Sequence, residues 1–253
     1  MKSQSNPTMR EDKFERPMYS PSDVTGYGTM TLKGTINKIG IMLAIVTAAA
    51  VVGWNIPNVF FLILAFVGGL GLAFWLYRQP EKSSVLAPFY AVISGLAVGT
   101  ISVFSQEMLK DSAIGSMGVP IAILGTLVTL GVMLFLFAKR IIVVTDTMRS
   151  IIIGATAAVA ITYVLAFCAS FIFPSFVGGL AIFNGGPIGI AFSIFVIGLA
   201  AFNFLLDFDL IERGVKNQAP AYMEWYAAFG MTVTIVWLYL EILRLLRKIF
   251  GSR

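Results

Sequence analysis

Long apolar runs separated by short polar connectors dominate the sequence from residue 36 onward. A helix needs roughly 20 mainly apolar residues to cross about 30 Å of hydrocarbon. Seven runs meet or approach that length, at residues 36–54, 57–77, 85–106, 119–138, 150–173, 187–211 and 221–246. They are too long and too continuous for the strands of a membrane barrel. Because backbone groups in lipid must be satisfied internally, the pattern predicts an all-α membrane protein built as a helix bundle.

Local signals refine the ends and the packing of these helices. Pro57 is well placed to open the second helix, and Thr145 or Asp146 to cap the fifth. Gly95 and Gly99, four residues apart, are expected to let helix backbones approach closely. The same role is expected for the glycines at 68, 69 and 71 and at 185, 186 and 189.

Charge is scarce and unevenly placed. Hydrophobic residues make up 58% of the chain and charged residues 12%, too little charge to solvate a globular surface of this size. If the N-terminus is cytoplasmic, thirteen of the eighteen Lys and Arg residues lie on the cytoplasmic side and only Lys110 lies opposite before the seventh run. That asymmetry fits the positive-inside rule. The net charge of +5 therefore needs no nucleic-acid partner.

The seventh run conflicts with this rule. If it crosses, the four late cations lie outside: Arg244, Arg247, Lys248 and Arg253. A crossing helix and a re-entrant segment both remain open, with crossing favoured. At the other end, residues 1–29 are expected to be a disordered cytoplasmic tail, which leaves residues 30–253 as the transmembrane domain.

Several kinds of chemistry are excluded by composition. The chain has no histidine, which removes histidine triads and histidine zinc sites. Its one cysteine, Cys168, has no partner for an internal disulfide and is expected to be a small buried hydrophobe. There is no P-loop and no motif of a known intramembrane protease. No enzyme, cofactor or resident metal is expected.

Carboxylates near the last two runs are the candidate functional groups, because ionisable residues inside spans are costly. Residues two apart on a helix point about 200° apart, so Asp207 and Asp209 face different neighbours. Asp209 either belongs to a site or pairs with Arg213, four residues later. Asp207 has no such local cation and is the better candidate for a buried carboxylate. Glu212 shares the face of Asp209, and it and Arg213 are further candidates.

The short connector 214–219 makes the sixth and seventh helices antiparallel neighbours. Asp209 and Glu224 then lie at similar depth, with Asp207 about one turn deeper. If two or three of these carboxylates meet, they share a proton or bind a cation. Glu224 has an alternative role, since the dipole at a helix start already favours an acid. Glu241, three residues before Arg244, is expected to form an ordinary surface or interhelical ion pair.

Several strings carry a family resemblance, and none is a catalytic signature. They are Met30-Thr31-Leu32, Phe183-Asn184-Gly185-Gly186-Pro187-Ile188-Gly189, Asn203-Phe204-Leu205-Leu206-Asp207-Phe208-Asp209, Met223-Glu224-Trp225-Tyr226 and Trp237-Leu238-Tyr239-Leu240-Glu241-Ile242-Leu243-Arg244-Leu245-Leu246. Through them the chain resembles the Bax inhibitor-1/YccA family, in its bacterial branch, over nearly everything after residue 29. The resemblance implies a seven-helix bundle in the bacterial cytoplasmic membrane, with the seventh helix central and wrapped by the other six.

The family includes pH-sensitive calcium leak channels, in which an aspartate of the sixth helix and one of the seventh form a proton sensor latched by an arginine of the second. Asp209 is the natural match for the first aspartate, and Asp207 is the alternative. The seventh-helix position is occupied by Thr234, and Arg78 lies only at the edge of the second run. A sensor in this chain would therefore need Glu224 or Glu241 as a substitute.

Two functions follow from the resemblance. The first is a pH-modulated cation leak, with calcium favoured, gated by carboxylates of helices six and seven. The alternative is a non-conducting regulator that binds a membrane protease or a stress-response partner, for which the charged tail is suited. A proton-coupled transporter has less support, because neither an inverted repeat nor a pair of broken helices stands out.

Overall fold

Seven long α-helices account for most of the protein in its computed structural model, which describes residues 28–173, 175 and 179–251. Each is long and apolar enough to cross a membrane. Short 3₁₀ turns at Pro80–Lys82 and Gly115–Met117 precede the third and fourth helices. The predicted all-α fold with seven spans is confirmed. The helices are α1 (Leu32–Asn55), α2 (Val59–Arg78), α3 (Ser83–Leu109), α4 (Gly118–Ala138), α5 (Asp146–Ile172), α6 (Pro187–Lys216) and α7 (Met223–Phe250).

Capping side chains set where the helices begin. The Thr31 side chain accepts a hydrogen bond from the N–H of Gly34, so α1 starts earlier than its apolar run. Asn58 caps α2, which corrects the prediction for Pro57, because the proline lies one residue before the cap. Thr145, one of the two predicted alternatives, caps α5.

Helix α7 is the centre of the bundle. It packs along α1, α3, α4 and α6, while α2 packs chiefly on α3 and α5 on α6. Its apolar window is 61% buried, the largest share among the seven spans. It carries the fully buried side chains of Tyr226, Phe229 and Leu238. The central position of the seventh helix is therefore confirmed, with four helices around it along its length rather than six.

The continuity of helix α7 favours crossing over re-entry. Its 28 residues form one uninterrupted helix. At 1.5 Å per residue it is about 42 Å long, enough to cross the hydrocarbon core. A re-entrant segment would have to turn back, and α7 does not.

The helices alternate in direction, so the bundle has two ends. We call the end with the start of α1 and the connector 217–222 the first face, and the end with the last turn of α7 the second face. At the first face the Ser83 hydroxyl donates to the Tyr222 carbonyl at 2.8 Å. At the second face the Lys248 ammonium donates to the Gly189 carbonyl at 2.9 Å. Residues 1–27 of the expected tail lie outside the described residues.

Helices α1 and α3 approach most closely at glycines, as predicted. A Cβ on Gly99 would lie 2.8 Å from the carbonyl carbon of Ala50, and one on Gly95 would lie 2.7 Å from the Cβ of Ala49. Side chains at either position would push the two backbones apart. The prediction is wrong for Gly71 and Gly186, which have open space where their side chains would be.

The outer helices present large apolar side chains to their surroundings. Five of them are each 60–65% exposed, on α2, α4 and α5: Val67, Phe74, Leu124, Ile151 and Leu165. An apolar exterior of this extent is stable in lipid and not in water. Cys168 of α5 is also exposed, which corrects the expectation that it is buried.

Candidate functional site

Asp207 lies in the middle of the contact between α6 and the central helix. Its side chain is fully buried, and Thr234 of α7 is 2% exposed. The Thr234 hydroxyl donates to Oδ2 of Asp207 at 2.6 Å. The predicted burial of Asp207 is confirmed. Asp207, the alternative match to the sixth-helix aspartate of the family, is thus the residue that faces the Thr234 position.

Asp209 lies on another side of α6 and is held by two arginines. Its Oδ2 is 2.7 Å from Arg213, the predicted partner one turn later. It is also 2.6 Å from Arg149 at the start of α5. Arg149 is only 5% exposed and was not anticipated as a partner, since it lies 60 residues away in the chain. Asp209 therefore joins α5 to α6 at the first face.

Glu212 belongs to a more exposed network at the same end. It pairs with Arg140, which follows α4, and with Lys216 at 2.7 Å. The Glu212 side chain is 26% exposed and those of both cations are more than half exposed. Exposed pairs of this kind contribute little to stability, so Glu212 is a surface group that links the ends of α4 and α6.

Glu224 is enclosed by the start of α1. Its Oε1 accepts hydrogen bonds from the backbone N–H of Thr31 at 2.8 Å and from the Thr31 hydroxyl at 2.9 Å. Its Oε2 is 2.5 Å from the Lys38 ammonium. Because Glu224 also lies in the first turn of α7, the helix dipole favours its charge as well. The predicted role of a helix-start acid describes its position, and its described bonds are to Thr31 and Lys38 instead of to the carboxylates of α6.

The chain just before α1 strengthens this enclosure. The N–H of Met30 donates to the Ala219 carbonyl at 2.7 Å, and the N–H of Ala221 donates to the Gly28 carbonyl at 2.8 Å. These bonds join residues 28–30 to the α6–α7 connector in a short antiparallel bridge. We call residues 28–31 together with Lys38 the N-terminal clamp. It covers the acidic start of the central helix.

The three main candidate acids therefore bind different partners. Asp207 contacts α7, Asp209 contacts α5 and Glu224 contacts the N-terminal clamp. In the described contacts each acid has its own partner, and the three acids do not surround one ion. Within the described ranges there is no group of three or more Asp, Glu, Cys or His side chains that could hold a metal.

Glu241 lies deeper than the sequence indicated. It is 1% exposed, and it pairs at 2.8 Å with Arg244, which is 30% exposed. The predicted pair therefore forms within α7, with its carboxylate buried and not on the surface. The Tyr163 hydroxyl of α5 donates to its second oxygen at 3.2 Å. Glu241 follows Thr234 by seven residues, which places both on one face of α7 with about 10 Å of helix rise between them.

The fold and these contacts define a multi-pass helical membrane protein with acidic side chains buried along its central helix. A family profile described as Bax inhibitor 1 like matches residues 3–251. The chain therefore belongs to the Bax inhibitor 1-like family. No curated protein and no solved structure matches it significantly.

Proposed function

We propose that the protein is a pH-modulated cation leak pathway, with calcium the favoured ion and Asp207 the titrating group. The observation that carries the proposal is a fully buried carboxylate held between α6 and the central helix. An ionisable group at such a position is costly and is a functional group by default. Its oxygens and the Thr234 hydroxyl are hard ligands of the kind that calcium prefers. Family membership supports the same function.

The proposed pathway follows the central helix. Glu224 lies at the first face, Thr234 with Asp207 about 15 Å along α7, and Glu241 about 10 Å further toward the second face. The acids at both ends are neutralised by cations, Lys38 on Glu224 and Arg244 on Glu241. On this interpretation the structure represents a closed state of the pathway. In it, Arg244 takes the latch role that the resemblance assigns to an arginine of the second helix.

We further place the first face in the cytoplasm of a bacterium, with the protein in the cytoplasmic membrane. Among the described residues, the second face carries Lys110, Arg244, Arg247 and Lys248, and the first carries more than twice as many cations. Arg244 and Lys248 are bonded within the protein, to Glu241 and to carbonyls that include that of Ile182. Their positive charge is therefore a weaker argument against a cytoplasmic first face. The cations of the first face are Lys33, Lys38, Arg78, Lys82, Lys139, Arg140, Arg149, Arg213 and Lys216.

A flux assay tests the proposal directly. The purified full chain is reconstituted in liposomes that contain a calcium indicator, and calcium entry is followed over a range of pH. We expect flux in the wild type and loss of its pH dependence in Asp207→Asn. Asp209→Asn is the matched control. It removes an aspartate from the same helix, but the partners of that aspartate are arginines.

Each outcome bears on a separate part of the proposal. Absence of flux in the wild type would refute the leak. If flux occurs but Asp207→Asn keeps its pH dependence, Asp207 is not the titrating group. If Asp209→Asn and Glu224→Gln keep it as well, the whole assignment of the site is wrong.

A non-conducting regulator is the second candidate function. The observation that favours it is the N-terminal clamp, which holds Gly28, the residue that follows the charged segment 1–27, beside the first-face connector. Deleting residues 1–27 leaves Gly28 and its hydrogen bond in place. We expect this deletion to abolish co-purification of a membrane protease or stress-response partner without altering flux. A partner retained by the truncated chain would contradict a docking role for this segment.

A further inference from the structure

An apolar cavity of about 580 Å³ lies between α2, α3, α5 and α7, and neither Asp207 nor Glu224 is among the residues that line it. Its walls are aromatic and aliphatic, and the ring centroids of Phe66 and Phe167, which both line it, are 4.0 Å apart. Along α3 it extends from Tyr90 to Ile101. That is about 16 Å of helix, close to half the thickness of the hydrocarbon core. The cavity thus has the length of an acyl chain in one leaflet.

One end of this cavity is cationic. Arg244 lines it, and its guanidinium lies 4.5 Å from the Tyr163 ring centroid. The Arg244 side chain is 30% exposed even though it pairs with Glu241. A guanidinium has five donors, so the pairing leaves some of them available to a second anion.

The charge around Arg244 exceeds what Glu241 balances. Arg247 and Lys248 follow on the same turn of α7, and the charges of all three cations act on one another. Glu241 is the one carboxylate among the charges that act on Arg247 and Lys248. Arg247 and Lys248 are not among the residues that line the cavity, but their charges add to the positive potential at this end. This end of the cavity therefore attracts an anion.

We propose that this cavity binds an anionic phospholipid, with one acyl chain among the apolar walls and the phosphate on Arg244. An apolar slot of one-leaflet length that ends in excess positive charge at the second face matches both parts of such a lipid. A guanidinium is also well suited to bind phosphate. The proposal shares Arg244 with the proposed ion pathway, but it does not depend on ion conduction, since Asp207 is not among the residues that line the cavity and lipid binding is measured without flux.

Photolabelling tests this site. The purified full chain in neutral detergent is incubated with phosphatidylglycerol that carries a photoreactive group in its acyl chain, and labelled peptides of α3 and α5 are quantified. Unlabelled phosphatidylglycerol should compete better than unlabelled phosphatidylcholine. Arg244→Gln should weaken the phosphatidylglycerol competition about tenfold, the value of one charge-assisted hydrogen bond, and leave phosphatidylcholine unchanged.

Arg140→Gln is the matched control for charge. Arg140 also pairs with a glutamate, Glu212, and lies 5.5 Å from an aromatic ring, that of Phe137. It lies at the first face, outside the cavity, so its variant should label like the wild type.

A second variant tests the slot without touching any charge. Gly69 lines the cavity, and a Cβ there would meet the Tyr90 ring at an ordinary 3.7 Å. Gly69→Leu should fill the slot and abolish labelling of α3 and α5 by both lipids. Gly71→Leu is its control on the same helix, because a Cβ at Gly71 meets nothing within 4 Å. This pair decides the question even if Arg244→Gln does not fold.

Three results would overturn the proposal. One is equal competition by the two lipids, and another is wild-type labelling in Gly69→Leu. The third is competition by inorganic phosphate alone that equals that of phosphatidylglycerol, which would indicate an anion site without an acyl chain.

Discussion

The hydroxyl of Thr234 donates to Oδ2 of Asp207 at 2.6 Å and thereby ties the central helix to α6 where neither side chain reaches solvent. The family resemblance implies a second aspartate at the Thr234 position. A neutral hydroxyl cannot share a proton with Asp207 as a second carboxylate would. This contact is therefore a donor and an acceptor, and not a pair of coupled acids.

Replacing Thr234 by valine removes the donor and keeps the shape of the side chain. We expect Thr234→Val to lower the free energy of unfolding by about 1–2 kcal/mol, because a buried carboxylate loses one hydrogen bond. The measurement is denaturant unfolding of the purified protein in detergent micelles.

Thr232→Val is the control for that variant. Thr232 is equally buried on α7, but its hydroxyl donates to the Ala228 carbonyl of its own helix at 2.7 Å. That carbonyl already accepts a backbone hydrogen bond in the regular pattern of α7. Removing the Thr232 hydroxyl should therefore change the free energy of unfolding little. Equal destabilisation by the two valines would show that the Asp207 contact contributes nothing specific.

The N-terminal clamp should depend on its ion pair. Lys38→Gln removes the cation from Glu224, whose side chain is only 7% exposed. We expect a loss of about 1–3 kcal/mol and faster hydrogen exchange of the Met30 amide, which bonds to Ala219. Hydrogen–deuterium exchange measured by mass spectrometry reports the opening of this segment.

Lys110→Gln provides the comparison for Lys38→Gln. Lys110 pairs with Glu107 at 3.0 Å, but both side chains are more than half exposed. An exposed pair contributes at most about 1 kcal/mol, and exchange of the Met30 amide should not change. Unaltered exchange in Lys38→Gln as well would mean that the backbone bridge alone holds the clamp.

Run length and local spacing were sufficient to predict the helices and the local contacts. The apolar runs predicted seven spans, and the spacing of Asp209 and Arg213 predicted their ion pair. Close approach at Gly95 and Gly99 followed from residue size alone. The ion pair joins residues one helical turn apart, and the other two predictions need only the length of a run or the size of a side chain, all of which the order of residues specifies.

The long-range partners of the acids could not be predicted in the same way. Arg149 reaches Asp209 across 60 residues, and Thr31 reaches Glu224 across 193. Such pairings depend on how each helix is rotated about its own axis. A run that is apolar on every side, as a lipid-exposed span is, carries little periodic signal for that rotation. For the same reason the sequence did not reveal that Glu241 is buried beside α5.

The two arginines that pair with Asp209 should contribute differently to the stability of the protein. Arg149 is buried and joins two helices, whereas Arg213 is 28% exposed and lies one turn away on the same helix. We expect Arg149→Gln to cost about 2 kcal/mol and Arg213→Gln about 0.5 kcal/mol, the usual value of such a local pair. Unfolding in detergent measures both. Equal losses of stability would show that the Arg149–Asp209 pair, which joins α5 to α6, is not stronger than the Arg213–Asp209 pair.

Substitution of two glycines by alanine should change the stability in opposite directions. A Cβ on Gly99 would lie 2.8 Å from the Trp54 backbone nitrogen as well as from Ala50, so Gly99→Ala must separate α1 from α3. Overpacking of this kind costs about 1–3 kcal/mol. A Cβ on Gly131 of α4 meets nothing within 4 Å, so Gly131→Ala should stabilise the protein by about 0.5–1 kcal/mol through the lower backbone entropy of the unfolded chain. Melting temperatures in one detergent compare the two, and a stabilised Gly99→Ala would contradict the close approach of α1 and α3.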